Sequence, residues 1–339
     1  MKNKLVFLFL LVSSFACAQE EKIGWLTLSE AEKKCGESSR PYLIDFYLPG
    51  DASCERMQQI TYVDPVVISF VNHYFYPVRI NAESADTLFF RGKIYPPLKK
   101  NGRTVCGLMS ELLKGQPVYP ATAFLYDKEH IDLVVPGFLE VAKMEAFLIY
   151  FAENVYSTTP VPVFVNDFEQ AFHRTMASAS ERKAGFPWVP FGQLENLRKN
   201  KSKKILLYLT APWNNSAKIM EKVVFNDSVF SALAGKYFYC LRLDVQSQDT
   251  IPFLKHRFIN AGKENNHLHQ LAIALSDKII RVPSIYIFDE QGKLMEHLYF
   301  YLDRERGAMV LDFLGSDQYK SMSWGDFVEV KSREVFWNI

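Results

Sequence analysis

The sequence predicts an α/β protein built from two copies of one domain in tandem, each a mixed sheet flanked by helices. Three observations predict it. Landmark residues recur 163 positions apart with no change of register: Trp25 and Trp188, Pro49 and Pro212, Met57 and Met220, Asp64 and Asp227, Pro120 and Pro283. Within each copy, short apolar runs alternate with stretches of helical periodicity. At 339 residues the chain also exceeds the ~250 residues beyond which single cores rarely grow.

The elements follow in the same order in both copies. A helical stretch comes after the tryptophan, Ser29 to Cys35 and Gly192 to Lys199. An apolar strand is next, Tyr42 to Tyr47 and Ile205 to Leu209, and then a proline precedes a second helix, Asp51 to Ile60 and Asn214 to Val224. A further strand spans Tyr74 to Asn81 and Tyr237 to Asp244, with Asn81 falling on Asp244. After a variable middle, an X-Pro dipeptide opens the strands Ala121 to Tyr126 and Ser284 to Phe288. Charged turns, Asp127 to His130 and Asp289 to Gly292, return the chain into Ile131 to Val135 and Lys293 to Tyr299 as hairpins. Closing helices are expected over Val141 to Glu153 and Arg304 to Leu314. Asp167-Phe168 and Asp326-Phe327 each mark a small appended helix, and Arg174 to Gly185 is a polar, Ala/Ser-rich linker.

The N-terminus reads as a targeting segment. Lys2 and Lys4 precede the apolar run Leu5 to Val12, which is too short to span a bilayer, and Ala16-Cys17-Ala18 supplies small residues for cleavage before Gln19. An alternative reading keeps Cys17 as a lipid anchor, although Ser14 and Phe15 depart from the usual lipoprotein pattern. The expected organisation is a signal peptide over 1–18, domain one over 19–156, an appended helix and linker over 157–186, domain two over 187–320 and an appendage over 321–339. A periplasmic or secreted location follows. With 39 basic and 38 acidic residues there is no global electrostatic footprint for nucleic acid or an anionic surface, so any binding surface must be local. No transmembrane span is expected in the mature chain.

The order strand, proline, helix, strand, X-Pro, hairpin resembles the thioredoxin superfamily, in particular its exported bacterial members. In copy one the resemblance is carried by Asp45-Phe-Tyr-Leu-Pro49, Met57, Asp64-Pro65 and Tyr119-Pro120. In copy two it is carried by Thr210-Ala-Pro-Trp213, Lys218, Asp227, Val282-Pro283 and Phe288-Asp-Glu-Gln-Gly292. The resemblance implies that Pro120 and Pro283 follow cis bonds and lie against the active-site helix, where they help to grip extended peptides. It also implies a Cys-x-x-Cys at the first turn of that helix, where the helix dipole acidifies the attacking thiol. This sequence departs from that motif in both copies. Copy one reads Gly50-Asp51-Ala-Ser-Cys54-Glu, keeping only the second cysteine, and copy two reads Trp213-Asn214-Asn-Ser-Ala217-Lys, keeping neither. Asp51 and Asn214, at the nucleophile position, are strong helix N-caps. The usual two-thiol exchange is chemically excluded.

Cys35, Cys54 and Cys106 belong to copy one, and in an oxidising compartment Cys54 with Cys106 is the favoured pair; buried free thiols are the other open reading. A monothiol role for Cys54 is a third. Cys240 reads as a small core residue. His267 and His269 stand close together, but no carboxylate or thiol completes a metal-ligand set at recognisable spacing. His269 instead stands 14 residues before Pro283, as Cys106 stands 14 before Pro120. Asp86-Thr87-Leu88, Asp227-Ser228-Val229 and Asp249-Thr250-Ile251 match a three-residue glycosylation pattern and also ordinary turn and N-cap chemistry, which is the favoured reading.

The functional expectation is a redox-inactive envelope protein that binds polypeptide as an assembly factor, chaperone-like adaptor or complex subunit. It needs no cofactor and no metal, and its contacts are Tyr119 and Pro120 in copy one and Trp213, Val282 and Pro283 in copy two. The alternative is a thiol-disulfide oxidoreductase or isomerase using Cys54 alone or with Cys106. A purely structural spacer is a third reading.

Overall fold

A computed structural model describes residues 22–116, 118–173, 185–200, 203–276 and 279–337. The expected signal peptide, with Cys17 and Gln19, and nearly all of the expected linker lie outside the described residues. The chain divides into two compact units, at the bond between Phe138 and Leu139.

The first unit runs α1 (Leu28–Glu37), β1 (Tyr42–Tyr47), α2 (Ala52–Ile60), α3 (Pro65–Tyr74), β2 (Tyr76–Asn81), β3 (Leu88–Phe90), β4 (Lys93–Tyr95), β5 (Leu98–Lys100), β6 (Arg103–Val105), α4 (Gly107–Leu112), β7 (Ala121–Tyr126) and β8 (Ile131–Pro136). Its sheet has the order β2-β1-β7-β8. Strands β1 and β2 are parallel, while β7 is antiparallel to both β1 and β8. Strand β1 is almost wholly buried, as expected of a central strand covered on both faces. That register sets Asp45 between Arg79 on β2 and Thr122 on β7.

The second unit begins with α5 (Val141–Ala152) and α6 (Val161–Phe172). It continues with α7 (Phe191–Asn200), β9 (Lys204–Thr210), α8 (Asn215–Ile219), α9 (Ser228–Tyr237), β10 (Phe238–Asp244), β11 (Ile251–Phe253), β12 (His256–Phe258), α10 (Gln270–Leu275), β13 (Ser284–Phe288), β14 (Leu294–Tyr299), α11 (Arg304–Gly315) and α12 (Trp324–Trp337). Its sheet, β10-β9-β13-β14, repeats the order and the pairing senses of the first.

Two expectations need correction. The strands expected to start at Tyr74 and Tyr237 start at Tyr76 and Phe238, because those tyrosines end the helices α3 and α9. Asp64 and Asp227 nucleate these helices, each accepting two backbone N–H bonds of the first turn, and Pro65 needs no donor at its position. The helix expected from Asn214 to Val224 is α-helical only to Ile219 and then widens into a π-helical turn over Met220–Val224. Phe225 N–H reaches back to Met220 O at 3.0 Å there.

The repeat also extends further than its sequence landmarks. The backbone keeps the 163-residue offset through β3 and β11, β4 and β12, α4 and α10, α5 and α11, and from the starts of α6 and α12.

Candidate functional site

In copy one, Gly50 takes a φ of +77°, which turns the chain from β1 into α2 without the clash a side chain would bring. Asp51 is the N-cap, its Oδ1 accepting from Cys54 N–H at 2.9 Å. Ala52 and Ser53 are exposed at the head of the helix, whereas Cys54 turns inward and is only 3% exposed. Leu48 N–H approaches its sulfur at 3.4 Å. Burial pushes the Cys54 thiol up to about 11; the Leu48 contact lowers it and the Asp51 carboxylate raises it again. At pH 8 only about one Cys54 in a thousand is then a thiolate.

Cys54 and Cys106 are not joined, so the favoured pairing is not the arrangement found: all four described cysteines are free. Cys54 Sγ is engaged by Leu48, and Cys106 sits at the head of α4, where Leu108 and Met109 N–H groups act on its sulfur. Cys240 is fully buried, and burial pushes its thiol up to about 12. Pulse alkylation of the native protein at pH 8, read by peptide mass spectrometry, is therefore expected to label Cys35 and to leave Cys54, Cys106 and Cys240 at least tenfold slower. Comparable labelling of Cys54 and Cys35 would refute its burial.

In copy two the same position is closed. Asn214 caps Ala217 N–H at 2.7 Å and also accepts from the Ser216 hydroxyl at 3.0 Å. Its Nδ2 donates to Val282 O at 3.1 Å, tying the helix start to the loop of Pro283. The two remaining leading amides, Asn215 and Ser216, donate to the Glu153 carboxylate at 3.0 and 2.7 Å. Glu153 stands at the end of α5, 62 residues before Asn215. Ser216 and Ala217 are fully buried. Asp51, a carboxylate, has no N–H with which to make the equivalent bond in copy one.

The Tyr119–Pro120 and Val282–Pro283 bonds are cis, and both prolines are buried. Tyr119 is partly exposed and lies within electrostatic reach of Glu83, Arg103 and Cys54; Val118 beside it is 40% exposed. Val282 is 8% exposed, while Trp213 stands out at 59%. The structure therefore brings Asn214 to the Pro283 loop and Tyr119 near Cys54.

The residues singled out beside the site have structural places. His269 is the N-cap of α10, its Nδ1 accepting from Leu271 N–H at 3.2 Å and its Nε2 3.1 Å from Asp249 O. Cys106 holds the corresponding place before α4. Asp86 and Asp249 close turns on Ser84 and Ser247, and Asp227 caps α9. Asp167 is fully buried and binds Tyr301 Oη at 2.8 Å and Arg304 at 3.0 Å, which fastens α6 within the second unit. Glu153 escaped the sequence reading because nothing local marks a helix-end glutamate as the cap of another helix.

No family model and no curated protein matches the chain. Several solved structures are similar to it. A thioredoxin-fold protein from Helicobacter pylori is 18% identical over 39% of this chain and 81% of its own, with a TM-score of 0.30. DsbH oxidoreductase is 19% identical over 39% and 85%, with a TM-score of 0.26. Full-length ERdj5 is 8% identical over 86% of this chain and 32% of its own, with a TM-score of 0.27. Each sheet is thioredoxin-like. In both, one parallel pair is followed by two antiparallel pairings in the order second, first, third, fourth strand.

Proposed function

We propose that this is an exported, redox-inactive protein of the cell envelope that binds an extended polypeptide at copy one, as an adaptor, assembly factor or complex subunit. The observation that supports it is the asymmetry between two related sites. Copy one exposes Ala52, Ser53, Val118 and Tyr119 around the Pro120 loop, whereas Glu153 and Asn214 fill the corresponding place in copy two. The expected contacts at Val282 and Pro283 are thereby closed off, and Trp213 is left exposed outside the closed helix start. Thiol-disulfide exchange through Cys54, alone or with Cys106, is disfavoured by the burial of both sulfurs and by the raised thiol of Cys54. Among the described residues, no helix is long and apolar enough to cross a membrane.

A photo-crosslinking residue placed at Ser53 tests the reading in the native envelope. It is expected to capture a discrete polypeptide, with yield falling at least fivefold in Tyr119→Ala, while the same probe at the buried Ser216 position captures nothing. Equal capture from an exposed surface site remote from the loop, such as Val63, would sink the proposal. A parallel insulin-reduction assay should show no turnover above buffer; turnover abolished by Cys54→Ser would instead establish the enzyme.

A further inference from the structure

Beside the proposed peptide site, where Arg103 comes within electrostatic reach of Tyr119, the two short hairpins of copy one carry a second surface. Strands β3 and β4 pair as Leu88↔Tyr95, Phe89↔Ile94 and Phe90↔Lys93. The ribbon is firmly held. Phe90 is 1% exposed and meets Tyr42 edge-on at 5.3 Å between centroids, and Tyr95 is buried. Arg91 is clamped by Asp127 and Asp132, and its backbone N–H donates to Glu32 at 2.7 Å. Because side chains alternate along a strand, anchoring Phe90 and Tyr95 turns Phe89 and Ile94 together to the other face. There they are 58% and 63% exposed, and Leu98 follows at 39% beyond Pro96 and Pro97.

Charge on the same segment is one-sided. From Thr87 to Ser110 there are five basic residues and no acidic one. Arg91 and Lys93 are taken by carboxylates. Lys99, Lys100 and Arg103 on the adjacent β5–β6 ribbon are exposed. Lys99 bonds the neutral Thr104 hydroxyl, Lys100 bonds the Gly115 carbonyl, and Arg103 has only a loose ion pair with Glu83 at 3.9 Å.

Copy two shows that the fold does not require the outward apolar pair. At the 163-residue offset, the inner Phe90 is matched by Phe253, 4% exposed, whereas Phe89 and Ile94 are matched by Pro252 and Arg257. A ribbon with exposed apolar side chains beside two lysines that bond only neutral oxygens is not a groove for a peptide. It matches a surface that is apolar inside and anionic outside.

We infer that the β3–β4 and β5–β6 hairpins form a docking surface for an anionic phospholipid bilayer, with Phe89 and Ile94 entering the interface and the long side chains of Lys99, on one face of the β5–β6 ribbon, and of Lys100 and Arg103, on the other, reaching lipid phosphates. Attraction of this kind is screened by salt, so binding weakens as ionic strength rises.

The test is co-sedimentation of the full chain with vesicles of phosphatidylcholine alone or with 30% phosphatidylglycerol. Binding is expected to the phosphatidylglycerol vesicles and to fall at least fivefold in Phe89→Ser/Ile94→Ser and in Lys99→Gln/Lys100→Gln/Arg103→Gln. Ile259→Ser, an exposed apolar change in copy two, should leave it unaltered. A local readout separates this hairpin from the N-terminal apolar segment: the added emission of Phe89→Trp should shift to the blue on vesicles and be quenched by brominated lipid. Unshifted, unquenched emission would overturn the proposal. So would hairpin variants that keep full vesicle binding, including the case in which they lose a co-purifying protein instead, since that would make the surface a protein interface.

Discussion

Asp45→Asn is expected to stabilise the first unit at pH 8 by as much as about 3 kcal/mol. Asp45 lies on the central strand β1, 1% exposed, and burial raises its carboxyl to about 6 although Arg79 Nε, 3.1 Å away, pulls in the other direction. Asp45 Oδ1, the Tyr62 hydroxyl and the Thr122 hydroxyl are buried next to one another, and none of them makes a well-formed hydrogen bond. The folded protein therefore holds the Asp45 proton more tightly than the unfolded chain, whose carboxyl has the ordinary value of 3.8. Stability from this group is fully present below about pH 4 and is lost as pH rises through about 6. An asparagine carries no charge to desolvate and offers an N–H to the neighbouring hydroxyls. Copy two has already made a neutral choice at the corresponding position. Tyr208 stands there, its buried hydroxyl donating to Ala217 O at 3.3 Å. Calorimetry of the full chain at pH 4 and pH 8 checks the prediction. One transition should rise by on the order of 10 °C at pH 8 and hardly move at pH 4. A variant destabilised at both would show that the Arg79 pair outweighs the desolvation.

Much of the fold was legible because its central strands are simple objects. Tyr42–Tyr47, Ala121–Tyr126 and Ser284–Phe288 are apolar runs bounded by turn residues or an X-Pro dipeptide, and their limits coincide with the observed strands. Helices α3 and α9 were not legible by periodicity. In α3 the run Val66-Val67-Ile68 is β-branched and suits a strand, and the aspartate cap overrules that propensity by satisfying two first-turn donors. The full length of the repeat was hidden for another reason. Outer positions of the small hairpins and late helices have diverged, as Phe89 and Pro252 have, while inner positions such as Phe90 and Phe253 keep the backbone in register.

The helix starts were legible to the same depth. Asp51 and Asn214 are the N-caps that their residue types and position imply. The difference between them was not legible, since it depends on which partners reach the cap. An aspartate can only accept, whereas an asparagine can also donate, and that extra donor ties Asn214 to Val282. The second closing group arrives from another helix. Contacts that join positions 62 and 63 residues apart leave no local periodicity to find.

Glu153→Ala tests that closing contact. The helix α8 has only five residues before it widens, so its leading N–H groups weigh heavily in its stability. Asn214 satisfies one of them and Glu153 two, and Ser216, whose N–H donates the shorter bond to Glu153, is fully buried. Removing a charged acceptor from a buried donor costs roughly 2–3 kcal/mol, so Glu153→Ala should destabilise the second unit by about that amount. Glu153→Gln keeps one acceptor oxygen and should lose about half as much. Denaturant unfolding followed by tryptophan fluorescence gives the energies, and native-state amide exchange gives the location, with faster exchange expected at Asn215 and Ser216. A loss below about 0.5 kcal/mol would mean that water replaces the carboxylate without penalty. The crosslinking residue at Ser216, silent in the parent protein, becomes the functional readout in this background. If Glu153 occupies the place of a bound chain, capture there should appear only once that carboxylate is gone.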